Sequence, residues 1–226
     1  MKNKQADPWT LTALTTRGIS ATKTYRLKDG QIEVEGYGRA KTFTCETIRT
    51  DDKGRWLRSL AKRWDSFVVL GEPVGWKPGE KKRRLSADRD GAERTLIDVP
   101  RHLMPIDVDD IDFKPWARIT DGEQFALELL ERLGIPKGIT CDWQLTSGHG
   151  FFGRYRARLW IHLAEPMTCA QMKALAKELW GDEKIDVNGV KKSLVDFSVY
   201  QPQQPIYTAA PILEDGIADP VKARAP

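Results

Sequence analysis

The sequence predicts an α+β protein of two modules, and three observations support this class. Stretches that alternate apolar and polar residues, typical of strands, occur in both halves of the 226-residue chain. Two amphipathic helices are interleaved with them in the second half. The charge also divides, since residues 1–100 hold 21 Lys and Arg against 14 Asp and Glu, whereas residues 101–226 hold 15 against 18. We expect an α/β module with a basic surface at 1–95, a second module at 96–215 and a tail or linker at 216–226.

The first module is predicted to contain a hairpin, a helix and a short buried strand, in that order. The hairpin covers 23–36 and turns at an Asp-Gly pair, which favours a tight connection. A helix follows Asp51 or Asp52, either of which is suited to cap it. The strand at 67–70 is predicted to be buried. The polar stretch 75–95 is either a basic loop over a nucleic-acid channel or a solvated connection.

The second module is predicted to follow the order strand, helix, strand, strand, helix, strand. The predicted strands are 97–108, 140–145, 155–163 and 194–200. Thr120 or Asp121 caps the first helix, which ends at Gly134, and Thr168 caps the second, which ends at Gly181. This order is that of an RRM-like α+β sandwich, in which helices cover an antiparallel or mixed sheet.

Two acids in the first strand of the second module are its sharpest chemical feature. Alternate residues of a strand share a face, so Asp107 and Asp109 point the same way with Cα atoms about 7 Å apart. Carboxylates at this spacing can bind two metal ions about 3.5–4 Å apart, as phosphoryl transfer requires. An acidic strand end in solvent is the simpler alternative, because so short a motif often arises by chance.

A third acid, Asp196, lies within an apolar stretch. A buried, ionised carboxylate needs a positively charged partner or a metal ion. Asp196 is therefore either a third metal ligand or the ion-pair partner of Lys191 or Lys192.

A glycine-flanked histidine turn separates two of the predicted strands. The glycines on either side of His149 let the backbone approach a ligand closely. Ser147, His149 and nearby backbone N–H groups are suited to bind phosphate oxygens. The alternative is a histidine that merely lies on the surface.

The strand that follows this turn carries three arginines on one face, interleaved with aromatic side chains. Arg154, Arg156 and Arg158 share that face with Trp160 and His162. Such a face indicates a surface for phosphates and bases, because guanidinium groups bind phosphate and aromatic rings stack on bases. A solvated outer face is the alternative.

Taken together, these residues resemble the three motifs of the archaeo-eukaryotic primase superfamily. The motifs are Asp107-x-Asp109, Ser147-x-His149 and the later Asp196. The resemblance covers about residues 97–215 and is closest to primase-polymerases carried by plasmids, phages and integrated elements. It implies a two-module primase-polymerase catalytic core with the active site in the cleft between the modules.

The resemblance also implies roles for these residues. It assigns the three aspartates to two divalent ions, Mg²⁺ or Mn²⁺, and it assigns Ser147 and His149 to the triphosphate of the incoming nucleotide. To these we add four expected phosphate or template contacts, which are Arg154, Arg156, Lys191 and Lys192. Many relatives carry a zinc motif, but the three cysteines here lack zinc spacing, so no structural zinc is expected.

The implied activity is that of a template-dependent DNA primase or polymerase in the replication of a mobile element. Its partners would be single-stranded DNA and nucleoside triphosphates, with a replicative helicase or a separate priming domain as further candidates. A non-catalytic replication initiator that binds DNA and a two-metal nuclease are the alternatives. A membrane span would need about 18 consecutive apolar residues, and no such run or signal peptide is present, so a cytoplasmic protein is expected.

Overall fold

The computed structural model describes residues 7, 9–50, 54–111, 121–187 and 189–226. Within these ranges it confirms the predicted α+β class, with thirteen strands in five sheets and three α-helices. The first half contains β1 (Thr10–Thr15), β2 (Thr24–Lys28), β3 (Gln31–Glu35), β4 (Thr44–Arg49), α1 (Arg55–Ala61), β5 (Ser66–Val69), β6 (Glu72–Pro73) and β7 (Leu96–Ile97). The second half contains β8 (Arg101–Ile111), α2 (Gly122–Arg132), β9 (Cys141–Leu145), β10 (Tyr155–Met167), α3 (Cys169–Trp180), β11 (Lys184–Val187), β12 (Val190–Ser193) and β13 (Ile212–Leu213).

The main sheet of the first half is centred on β1, which pairs antiparallel with both β4 and β5. The predicted hairpin is formed by β2 and β3, which meet at Asp29 and Gly30. Both of these residues have positive φ angles, 51° and 76°, as a tight two-residue hairpin turn of type I′ requires. The Asp-Gly pair was therefore a reliable signal, because aspartate and glycine tolerate this backbone conformation.

Helix α1 begins after Gly54, which occupies the N-cap position without a side-chain hydrogen bond. The predicted caps Asp51 and Asp52 lie outside the described residues. The helix buries Trp56 and Leu60 in the core and leaves its basic residues on the opposite side. Burial of this apolar stripe stabilises a helix that is too short to be stable alone.

The main sheet of the second half is centred on β10, which pairs antiparallel with β8 and β9. Helices α2 and α3 bury their apolar faces in the same core as this sheet. Asp121 caps α2, whereas Thr120, the other predicted cap, lies outside the described residues. Thr168 caps α3 in a reciprocal capping box with Gln171. Among the described residues, no helix combines the length and the apolar character that crossing a membrane requires.

The prediction of a full strand at 194–200 is wrong. Val195 forms a single antiparallel bridge to β8, and the chain then enters a 3₁₀ turn at Phe197–Val199. The cause is Asp196, whose carboxylate accepts the Ser198 N–H at 2.8 Å and ends the extended conformation. The spatial order of the predicted RRM-like sheet is nevertheless kept, with Val195 beside β8, then β10, then β9.

The two halves share one hydrophobic core, which covers most of the arginine-bearing face of β10. Trp160 is fully buried, and its ring packs edge-on against Trp56 of α1 at 4.9 Å. Arg158 is buried on the same face, and His162 Nε2 lies 3.1 Å from Asp142 Oδ2 in the interior. The prediction that this whole face is exposed to phosphates and bases is therefore wrong, because the first half packs over it.

The C-terminal part of the chain returns to both halves. β13 pairs in parallel with β2, so the end of the predicted second module extends the hairpin sheet of the first. Residues 216–226, for which we predicted a tail or linker, include the buried side chains Val221 and Arg224. The Arg224 guanidinium donates to the carbonyls of Thr146 at 2.7 Å and His149 at 3.4 Å. This segment therefore supports the histidine turn.

Candidate active site

The three predicted acids lie on neighbouring backbone segments at one edge of the second sheet. Asp107 and Asp109 share a face of β8, and Val195 bridges the edge of β8 that β10 does not occupy. The Asp196 N–H donates to the Asp107 carbonyl at 2.9 Å. The fold thus brings together residues that are almost ninety positions apart in the chain.

Asp107 is buried and forms an ion pair with Arg158. The two residues lie opposite each other in the β8–β10 register, and Arg158 Nη2 is 2.6 Å from Asp107 Oδ2. Arg158 also donates to the Tyr207 carbonyl at 2.9 Å and to Gln144 Oε1 at 3.3 Å. The other carboxylate oxygen, Asp107 Oδ1, is buried without a hydrogen-bond partner among the described residues. A buried acceptor in this state has an unused coordination position.

The other two acids are accessible from solvent. The Asp109 side chain is 49% exposed, and Arg156 Nε approaches its Oδ1 at 3.8 Å. Asp196 is also exposed, and Ser198 satisfies its two oxygens locally, through the backbone N–H and the hydroxyl, each at 2.8 Å. Each carboxylate oxygen has two lone pairs, so the Ser198 contacts leave acceptor capacity on Asp196.

The chemistry of these acids fits a divalent ion, although they are not gathered around one point. Carboxylate oxygens are the ligands that Mg²⁺ and Mn²⁺ prefer. In the described part of the chain, no group of three or more His, Cys, Asp or Glu side chains is close enough to hold a metal ion. Mg²⁺ in nucleotide-dependent enzymes is commonly held by one or two carboxylates, with substrate phosphates and waters completing its shell. Asp107, through its unpartnered Oδ1, and Asp109 fit that role.

Tyr200 is a further polar group near the acids that the sequence did not single out. Its side chain is 2% exposed, and its hydroxyl has no hydrogen-bond partner among the described residues. Burial, followed by the negative charges of Asp107 and Asp196, raises its pKa, so the hydroxyl remains a neutral donor at physiological pH.

His149 is not an exposed phosphate ligand in this structure. The residue is 0% exposed, and the rings of Phe125 and Tyr155 pack edge-on against its imidazole at 4.8 and 5.5 Å. Its Nδ1 lies 3.1 Å from the Arg156 N–H nitrogen and 2.9 Å from the Arg156 carbonyl oxygen. Burial lowers the pKa of His149 to about 4. The imidazole is therefore neutral at pH 7 and fixes the backbone of Arg156.

The lowered pKa of His149 predicts that the free energy of unfolding decreases in acid. Above pH 6.5, the ordinary His pKa, both the folded and the unfolded states are neutral at this position. As the pH falls towards about 4, the unfolded state takes up a proton that the folded state cannot, so the free energy of unfolding decreases, by up to about 3 kcal/mol. Denaturant titrations at several pH values should show a steeper loss for the native protein than for His149→Asn. The asparagine oxygen can replace Nδ1 as an acceptor, and equal slopes would contradict the assignment.

The backbone of the histidine turn is covered by two cations. A Cβ atom built on Gly148 would lie 2.9 Å from Lys23 Nζ and 3.2 Å from Arg156 Cδ, so both side chains touch this peptide. Ser147 is nearly buried, and its Oγ is 3.4 Å from the Tyr37 hydroxyl. Arg156 also approaches Asp109, so it connects the turn to the acids. Lys23, which sequence reasoning missed, arrives from the first half just before β2.

The remaining predicted contacts fall into two groups. Arg154 and Lys191 are exposed, and neither lines the cavity beside the acids. Lys192 does line this cavity, a groove of about 550 Å³ that also contains Asp109 and Asp196. We call it the lysine groove, and its other lining residues are Lys173, Lys177, Ser193, Val195, Phe197, Ser198 and Gln201.

Sequence reasoning missed Lys173 and Lys177, which project from α3 into the lysine groove. A signal was present, because residues four positions apart in a helix share a face and these two lysines are so spaced. Nothing in the local sequence indicates that this face lies beside Asp109 and Asp196, which are brought there by tertiary packing.

The acids are therefore bordered by cations on two sides. Arg156 and Lys23 lie on the β10 side of β8, at the histidine turn. The lysine groove lies on the opposite edge of β8, beyond Val195. This arrangement can hold two phosphate-containing ligands with the carboxylates between them.

Comparison with known proteins gives one distant structural similarity. No family model and no curated protein matches the chain. Among solved structures, the chain is similar to the polymerase domain of Mycobacterium tuberculosis Ligase D in complex with DNA, with 15% identity and a TM-score of 0.36. The match covers 84% of this chain and 69% of that chain. Similarity at this level does not indicate a function, which must be inferred from the geometry of the site.

Proposed function

We propose that this chain is a metal-dependent nucleotidyltransferase that synthesises nucleic acid on a template, the core of a primase-polymerase. The observation that carries the proposal is the position of the acids between two cationic clusters. Nucleotidyl transfer joins two polyanions, a nucleoside triphosphate and a strand that ends in a 3′-hydroxyl. A site for this reaction needs cations for both substrates and carboxylates for the divalent ions at the point where they meet.

In this proposal, each described residue has a limited task. Asp107 and Asp109, with Asp196 beside them, would hold Mg²⁺ or Mn²⁺. Bound there, the ions would lower the pKa of the attacking hydroxyl and neutralise charge on the leaving pyrophosphate. Arg158 pairs with Asp107 and fixes its rotamer through the 2.6 Å contact.

The histidine turn would bind the triphosphate of the incoming nucleotide, as the resemblance to primase-polymerases implies. Lys23 and Arg156, whose side chains lie against Gly148, supply the positive charge. His149 contributes indirectly, because its imidazole holds the main chain of Arg156 in place. The same resemblance supports DNA as the template and replication of a mobile element as the setting, with a helicase or a separate priming domain as a partner.

A protein that only binds DNA would not explain the carboxylates. Acids that face a nucleic-acid surface repel its phosphates, and a buried carboxylate with one unsatisfied oxygen destabilises the fold unless a ligand uses it. A two-metal nuclease would use the same acids, and the direction of the reaction separates it from a polymerase.

The deciding experiment is synthesis on single-stranded DNA. Labelled NTPs or dNTPs are supplied with Mg²⁺ or Mn²⁺, with and without a primer, to the native protein and to Asp109→Asn. Extended products from the native protein alone would support the proposal, and products without a primer would identify a primase. Shortened template would indicate a nuclease. Strand binding without either product would leave a binding module and overturn the proposal.

A further inference from the structure

The lysine groove contains lysine side chains for which the proposed triphosphate site at the histidine turn gives no role. Lys173 and Lys177 lie one turn apart on α3, with Cβ atoms about 5–6 Å from each other. Within the described residues, neither lysine forms an ion pair. Lys192 joins them from β12, so three ammonium groups line a groove that also contains Asp109 and Asp196.

We propose that the lysine groove binds the phosphate backbone of a single-stranded nucleic acid whose 3′ end reaches Asp109. This inference rests on the proposed function, because it assigns the second of the two polyanions that the reaction joins. Lysines on a helix and a hairpin offer flexible point charges, which suit phosphates along a strand independently of sequence. Lys173 and Lys177 share one face of α3, so both can contact the same strand.

The opposite assignment, with the triphosphate in the lysine groove, is less consistent with the geometry. At the histidine turn, the side chains of Lys23 and Arg156 converge on Gly148 and concentrate positive charge for a compact anion. The lysine groove lies on the other edge of β8, and its cationic lining consists of lysine side chains. With the triphosphate at the turn, the lysine groove is left for the strand, and Asp109 lies between the two.

The test measures strand binding directly, without turnover. Fluorescence anisotropy with a labelled single-stranded oligonucleotide compares the native protein with Lys173→Glu/Lys177→Glu. The matched control is Lys41→Glu/Lys137→Glu, which changes the net charge equally at two exposed positions outside the groove. We expect the groove variant to raise Kd about tenfold or more and the control to change it by less than about twofold. Equal losses in both variants would show a net-charge effect and overturn the proposal.

A milder variant guards against misfolding and gives a second readout. Lys173→Gln/Lys177→Gln removes the two charges without reversing them and retains good helix formers. Loss of two phosphate contacts should reduce the slope of log K against log salt by about 1.4, at about 0.7 per contact on a single strand. An unchanged slope with a native melting temperature would overturn the proposal.

A measurement of nucleotide affinity distinguishes a groove that binds the phosphates of a strand from one that binds a triphosphate. The affinity for a fluorescent nucleoside triphosphate with Mg²⁺ should stay within about twofold in the Gln variant. A large loss of nucleotide affinity with unchanged strand binding would instead make the groove a triphosphate site. Failure of the native protein to incorporate nucleotides would refute the proposed function, while lysine-dependent strand binding would still stand as a separate result.

Discussion

Asp109→Asn is expected to abolish nucleotide incorporation while the fold survives. The substitution removes one negative charge from the point between the two cationic clusters, where a divalent ion would bind. Loss of a single charge-stabilising group typically lowers the rate by at least about a hundredfold. Because the Asp109 side chain is 49% exposed, the free energy of unfolding should change by no more than about 0.5 kcal/mol, as for most surface substitutions.

The measurement combines a primer-extension rate with a melting temperature, and Asp215→Asn is the matched control. Asp215 is an exposed carboxylate outside the site, so its substitution changes the net charge equally. Mg²⁺ should raise the melting temperature of the native protein and of the control more than that of Asp109→Asn, since a ligand of the folded state stabilises it. Native incorporation by Asp109→Asn would remove this residue from the site.

Asp107 and Asp109 differ in their surroundings in a way that the sequence only partly indicates. Alternation along a strand predicts that Asp107 and Asp109 share a face, and the structure has both on β8. It does not predict that Asp107 is buried against Arg158 while Asp109 remains accessible. That difference depends on the β8–β10 register and on the packing of the first half, neither of which is encoded locally.

The elements of the fold that were predictable from sequence depend on local residues, and those that were not depend on tertiary packing. The hairpin at Asp29 and the cap at Thr168 were predictable, because each depends on residues within one turn. The exposed face predicted for β10 failed because Trp56, from a distant helix, covers Trp160. Lys23 could not be recognised as a site residue, because an isolated lysine acquires a role only through its tertiary neighbours. The spacing of Lys173 and Lys177 indicated a shared helix face, but only tertiary packing brings that face beside Asp109.

The largest expected effect on stability is at Arg158. Replacing it with methionine leaves the Asp107 carboxylate buried without its cation, since the two side chains are only 6% and 11% exposed. Removing one member of a buried ion pair typically costs about 3–5 kcal/mol, because the remaining charge is desolvated and uncompensated. Urea titration of Arg158→Met should show a loss of this size, and incorporation should fall with it because Asp107 is no longer held in place.

A double-mutant cycle distinguishes the ion pair from the other contacts of Arg158. Arg158 also donates to the Tyr207 carbonyl and to Gln144, so its replacement removes more than one interaction. Asp107→Asn/Arg158→Met has no buried charge at this position and should be more stable than the sum of the single variants predicts. Strict additivity would show that the pair contributes little and that the loss in Arg158→Met comes from packing.

The effect of Mg²⁺ on the melting temperatures of these variants tests for a bound ion, because a loss of packing alone would not depend on Mg²⁺. In Arg158→Met a divalent ion bound to Asp107 would supply the cation that arginine no longer provides, so it should restore part of the lost stability. The ion should therefore raise the melting temperature more in Arg158→Met than in the native protein, and least in the double variant, which has lost the Asp107 carboxylate. Equal shifts in all three proteins would mean that the ion binds away from Asp107. The unpartnered Oδ1 of Asp107 would then need a different explanation.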